Sequence, residues 1–199
     1  MADNPDALRV GSSGKAYVAP VGTVAPVAIQ TYVVGPPAAY TAVPWGVGFA
    51  DLGLISEDGL SEALDEDREE WKPWGYLAPV RTQITSETTT FEFTCWETNK
   101  HVLSLRYRTA IADMTQYSPK EVQFDQEQRT SPDLRAFGFD VLDGENHFRY
   151  VIPRGEITER GDVTNKADEV IGYEFTCTAY PGSDGVSIKR MYQAGITLA

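Results

Sequence analysis

Residues 88–98 read Thr-Thr-Thr-Phe-Glu-Phe-Thr-Cys-Trp-Glu-Thr. Phe91, Phe93 and Cys95 alternate with Thr90, Glu92 and Thr94. A period of two marks a strand with one apolar and one polar face. The tetrapeptide Glu-Phe-Thr-Cys returns at 174–177. There Tyr173, Phe175, Cys177 and Ala179 form the apolar side, and Glu174, Thr176 and Thr178 the polar one. The echo predicts two strands of one sheet with their apolar sides on a shared core. Their other sides present Glu and Thr, either to water, as antiparallel sheets commonly do, or to a functional space.

The same alternation extends outward. Phe137, Phe139 and Val141 alternate inward, Asp143-Gly144-Glu145-Asn146 turns the chain, and Phe148, Tyr150 and Ile152 alternate back. Short strands are expected at 80–87, 156–158 and 186–192. Thr98 is placed to cap a helix over 99–110, with Val102, Leu103, Leu105 and Tyr107 on its apolar side and Lys100, Arg106 and Arg108 in water. Many short strands separated by turn residues predict a mainly β chain, a β-sandwich or barrel with one flanking α-helix.

Residues 1–16 are polar and aperiodic and read as a flexible N-terminal arm, leaving 17–199 as a single domain. Residues 17–44 are apolar but interrupted by Pro and Gly, including Gly35-Pro36-Pro37. Such a segment forms at most short edge strands and must lie on another surface, its own domain or a neighbouring copy. Between Asp51 and Glu70 nine acids face one Arg68. That run reads as a solvated loop or short exposed helix, and a long loop is expected over 57–76. Trp71, Trp74 and Tyr76 follow it, either as caps on the core or as contact anchors. A second long loop is expected at 112–133, with one strand around 122–124, and 194–199 form a short tail.

The 199 residues carry a formal charge of −12, which repels nucleic acid and anionic membrane. No apolar run approaches the ~20 residues of a membrane span, and residues 1–16 lack the pattern of a signal peptide. These features predict a soluble protein made in a cytosol. Both cysteines sit on apolar strand faces and read as small core hydrophobes. A Cys95–Cys177 disulfide would need neighbouring strands and an oxidising compartment. The two histidines, His101 and His147, do not form a catalytic or metal-ligand pattern, and no Gly-rich phosphate loop, Cys-x-x-Cys or His-Glu-x-x-His occurs. The acids lack the spacing of a calcium loop. The expectation is a protein that is not an enzyme, with no catalytic residue, metal or cofactor.

The order of these segments resembles a known family. Val-Ala-Pro-Val-Gly-Thr lies near the start, and Asp-Leu-Gly-Leu-Ile-Ser-Glu-Asp-Gly-Leu at 51–60. Trp71-Lys-Pro-Trp74-Gly75, Pro79-Val80-Arg81, Thr90-Phe-Glu-Phe-Thr-Cys-Trp-Glu97 and a helix ending in Leu105-Arg-Tyr107 follow. From about residue 17 to about 192 this is similar to the major tail proteins, or tail tube proteins, of long-tailed bacteriophages, especially those of actinobacteria. The segment 31–44 is longer than usual in that family, and Trp-Lys-Pro-Trp-Gly replaces a plainer Ala-Trp-Gly.

The resemblance implies six-membered rings stacked into a hollow tube in the virion tail, assembled in the host cytoplasm. It implies a tape-measure protein held in the bore, later passage of double-stranded DNA, and tail terminator and distal tail proteins as further partners. On that reading Glu92, Thr94, Glu174, Thr176 and Thr178 are candidates for the lumen. Trp71, Trp74, Tyr76, Glu57, Asp58 and Asp65 are candidates for ring stacking. The alternatives are a tail terminator or distal tail ring of like fold, or a carbohydrate-binding β-sandwich using Trp71, Trp74 and Tyr76 as a platform.

Overall fold

The structure, a computed structural model, describes residues 8–33 and 39–193. In chain order the elements are β1 (Ser13–Pro20), β2 (Gln30–Val33), β3 (Ala39–Ala42), β4 (Ala50–Asp51), β5 (Ile55–Trp71) and β6 (Arg81–Cys95). Then come α1 (Lys100–Tyr107), β7 (Thr115–Ser118), β8 (Glu121–Gln123), β9 (Leu134–Asp143), β10 (Asn146–Arg160), β11 (Tyr173–Ala179) and β12 (Lys189–Gln193). One sheet runs β4-β1-β9-β10-β11-β6-β5, with β12 also on β10, while β2-β3 and β7-β8 form separate two-stranded ladders. The main sheet curls until β1 approaches β5, near the two ends of its path. The chain is mainly β with one helix, as its alternation predicts.

The two echo strands are direct antiparallel neighbours, with Phe175 opposite Phe93 and Cys177 opposite Phe91. Their apolar sides meet Phe137, Phe139 and Ile152 from the β9–β10 hairpin and Val102 and Leu105 from α1. The Phe91 and Phe139 rings stack at 5.4 Å, and Phe93 meets Phe139 edge-on at 5.1 Å. Burying each such side chain contributes about 1.5–3 kcal/mol. Cys95 and Cys177 are buried and free. Cys95 lies opposite Tyr173, four residues out of register with Cys177. That offset is about 13 Å along the strands, too far for a disulfide.

The helix is shorter than 99–110, and its cap is Asn99 rather than Thr98. Asn99 Oδ1 accepts from the His101 and Val102 amides at 3.0 Å, while the Thr98 hydroxyl hydrogen-bonds the Tyr173 hydroxyl instead. Asn also caps by side-chain oxygen, and here it sits one residue closer to the first turn. Arg108 in the left-handed region (φ 55°) ends the helix. Arg160 Nε donates to the Leu105 carbonyl at 2.9 Å, holding that end on β10.

Three expectations about loops change. β1 begins at Ser13, inside the stretch 1–16 read as an arm, because Ser13–Ala16 pair with Leu142–Phe139 of β9. Residues 1–7, Gly35-Pro36-Pro37 and the tail 194–199 lie outside the described residues. The stretch 57–76 is no loop or helix through most of its length: β5 runs to Trp71 and pairs with β6 in a hairpin whose outer part is exposed on both sides. Thr-rich β6 supplies a ladder of high β propensity, and the acids of β5 remain solvated while paired. Within 112–133, β7 and β8 make a small hairpin that includes the strand expected near 122–124.

Residues 43–49 form a strap over the outside of β1-β9-β10. Trp45 covers Gly138, where a Cβ would collide with the indole. The indole packs between Tyr17 at 4.8 Å and Phe49 at 4.9 Å. Within the apolar Pro/Gly segment 17–44, Tyr17–Pro20 pair with β9, Ile29 is buried and the Val43 carbonyl accepts from Arg149, so at least part of its surface lies on its own domain.

Candidate functional site

The five lumen candidates share one continuous sheet face. Across the strands Thr176 lies opposite Glu92, Glu174 opposite Thr94, and Thr178 opposite Thr90. Opposed residues project to the same side, so the row through Thr176 and Glu92 extends to Ser61 on β5 and to Glu159 on β10. Glu92 and Glu174 are exposed and Thr94 and Thr176 half-buried. Thr178 is buried, because the Thr158 hydroxyl covers it at 2.8 Å. Glu174 packs over Gly161, so the loop after β10 shields one end of the face.

Glu159 and Thr158 join this face through an irregularity that strict alternation hides. The register of β10 on β11 slips between Ile157 and Glu159. Counting by twos from Ile157 sends Glu159 to the core; the extra residue in the bulge re-aims it outward. Asp65, expected in ring stacking, lies opposite Thr88, and Asp67 lies opposite Ser86. Both continue the Glu92 face along the hairpin, so by register Asp65 groups with the lumen candidates. On β5, β6 and β11, from Asp67 across to Thr178, this face carries carboxylates, hydroxyls and Ala63 and no Lys or Arg, while beyond Thr178 on β10 Glu156 pairs with Arg108. Among the described residues no ion pair engages Glu92, Glu159, Glu174, Asp65 or Asp67.

The remaining stacking candidates fall into two places. Trp71, Trp74 and Tyr76 occupy the tip of the β5–β6 hairpin, with Trp74 fully exposed at 103%. Arg81 sits 5.4 Å over the Trp71 ring. Leu77, Val80 and Ile84 add exposed apolar surface nearby. The tip is thus no cap on the core: its aromatic and aliphatic side chains form an exposed apolar cluster on a projecting arm. Glu57 and Asp58 lie at the other end of β5, where the register on β6 slips between Ile55 and Leu60. Arg190 pairs with Glu62 and ties the base of the hairpin to β12.

Under the strap, Arg149 donates from Nε to Asp140 Oδ1 at 2.7 Å and from Nη2 to Oδ2 at 2.9 Å. Its Nη1 donates to the Val43 carbonyl at 2.8 Å, and the guanidinium lies 4.6 Å from the Trp45 ring centre. Trp45 Nε1 donates to Asp140 Oδ2 at 2.7 Å, and His147 Nε2 stands 3.0 Å from Oδ1. Arg149, Asp140 and Trp45 thus bond to one another and to the strap backbone, while His147 Nε2 is buried near Asp140 without a hydrogen bond of good geometry. Burial pushes the Cys95 thiol up to about 12 and Cys177 higher still, so neither is a nucleophile. Burial lowers the pKa of His101, with Lys100 and Arg135 adding to the effect.

Among the described residues no group of three or more His, Cys, Asp or Glu is disposed to hold a metal, and no helix is long and apolar enough to cross a membrane. A protein-family model described as phage tail tube protein matches residues 1–191. No curated protein matches the chain.

Proposed function

The chain belongs to the phage tail tube protein family, and from that premise we propose that copies close into six-membered rings whose stacked bores carry DNA. Family membership makes the chain a structural subunit of the virion tail that assembles with itself. The finer reading assigns the face of Glu92, Thr94, Glu159, Glu174 and Thr176 to the bore. The observation that carries it is the absence of Lys and Arg from that face between Asp67 and Thr178. DNA adheres to protein largely through Lys and Arg that displace counterions from phosphate. A wall of carboxylates and hydroxyls offers no such grip, so DNA slides.

During assembly in the host cytoplasm the same bore holds a tape-measure protein, with terminator and distal tail proteins closing the ends. Ring closure also protects the outer edge of β5, a 17-residue strand that would otherwise be open to unwanted pairing. Negative-stain microscopy of the purified protein tests the reading: long hollow tubes are expected. Single rings would indicate a terminator or distal ring, and persistent monomers would overturn the proposal.

A further inference from the structure

We propose that the tip of the β5–β6 hairpin seats in a groove between β1 and β5 of another copy of this chain. This rests on the tube reading and names the receptor for its stacking anchor. The tip is an aromatic knob with a local positive charge on an acidic chain: residues 71–81, closed by the Trp71–Arg81 pair, contain Lys72 and Arg81 and no acid, while Glu69 and Glu70 lie just below it on β5. Trp74 and Leu77 are 103% and 96% exposed, so they have no support within their own copy.

The groove has the opposite character. It encloses about 790 Å³ between residues 11–16 and 53–60. Phe93, Phe139 and Leu60 give it an apolar floor, and Glu57, Asp58 and Glu97 line its rim. The register slip between Ile55 and Leu60 throws residues 56–59 out of the ladder as a lip. Among the described residues, no ion pair occupies Glu57, Asp58 or Glu97. The knob and the groove are therefore complementary in both charge and apolar character, and copies that otherwise repel meet where the signs are opposite.

The two surfaces cannot meet within one copy. From Leu60 at the groove to Trp71 at the tip, β5 runs eleven residues in continuous pairing with β6 apart from one slip at Asp67–Arg68. At ~3.3 Å per residue that is roughly 36 Å. A knob and a hole on different surfaces of one chain make a head-to-tail contact, which generates rings or open filaments rather than closed dimers.

Cysteine cross-linking tests the contact. Leu77→Cys marks the knob and Leu54→Cys, on an exposed groove residue, marks the hole; the native thiols are buried and do not compete. Under mild oxidation a mixture of the two single variants should give a dimer band, the double variant a ladder of multimers, and each single variant alone neither. Adding Lys72→Glu and Arg81→Glu should lower the yield at least tenfold, and Glu57→Lys with Asp58→Lys in the partner should restore it. Tubes by microscopy without the mixed cross-link overturn the docking site and leave the tube reading standing. Equal cross-linking by Leu77→Cys alone also overturns it. If wild-type protein forms no assemblies, both readings fall.

Discussion

Arg149 is the side chain on which the strap depends most. It is buried, doubly bonded to Asp140, bonded to the Val43 carbonyl, and stacked on Trp45. Arg149→Met keeps much of the volume but strands the Asp140 charge, and breaking a buried pair from one side costs about 3–5 kcal/mol. Urea unfolding should show that loss, whereas Arg149→Met with Asp140→Leu should cost clearly less than the two single changes summed. At the same scale, the two cysteines should resist a thiol reagent at pH 8 in the native protein and both react in denaturant. Rapid native labelling of either would contradict its burial. The cysteines were legible because alternation places them on the core face. The Arg149–Asp140 pair was not, because its residues sit on the strand face opposite the core, and alternation marks that face as solvated. Gly138 within the strand pattern signals a close approach, but nothing local names Trp45, 93 positions earlier in the chain, as what approaches.

The β5–β6 hairpin is the element that the sequence disguised. Alternation of apolar and polar residues records burial on one side, and the outer hairpin buries neither side. Acids also have low β propensity, and Glu66 faces Glu87 directly across the ladder, an unfavourable pairing. What holds the strands is the ladder itself, the Thr-rich partner, and bonds such as Ser86 Oγ donating to Asp67 at 2.7 Å. The core strands were legible for the converse reason. Asp65 lies opposite Thr88, so residues 66–87 can be replaced by Asn-Gly to close a two-residue turn. That variant should remain folded, with stability within about 1 kcal/mol of wild type because the excised part is exposed and its ion pairs are superficial. It should fail to polymerise in microscopy; normal tubes from it would remove the hairpin from assembly altogether. Trp74→Ala should behave likewise, with its melting curve unchanged.

For the whole molecule the decisive quantity is where the −12 sits. Reversing Glu92 and Glu174 to Lys changes the sign of the proposed bore without touching the core. Tubes should still form, while DNA ejection from phage carrying the variant slows, and raising the salt should recover part of the rate, since phosphate contacts weaken with ionic strength. Unchanged ejection would take these residues out of the bore. The proposed ring closure is illegible in one chain's alternation, since an edge that pairs with another copy looks like any other exposed strand. The four tryptophans are distributed across this architecture so as to tell its states apart. Trp45 lies in the strap against a guanidinium, Trp96 is 37% and Trp71 39% exposed, and Trp74 stands wholly in water. Trp74 therefore contributes the reddest, most readily quenched emission, and covering it shifts the spectrum blue. Trp45 brightens or dims only when its cationic neighbour departs. A single fluorescence cuvette can thus follow coupling between copies and unravelling within one copy as two separate optical signals.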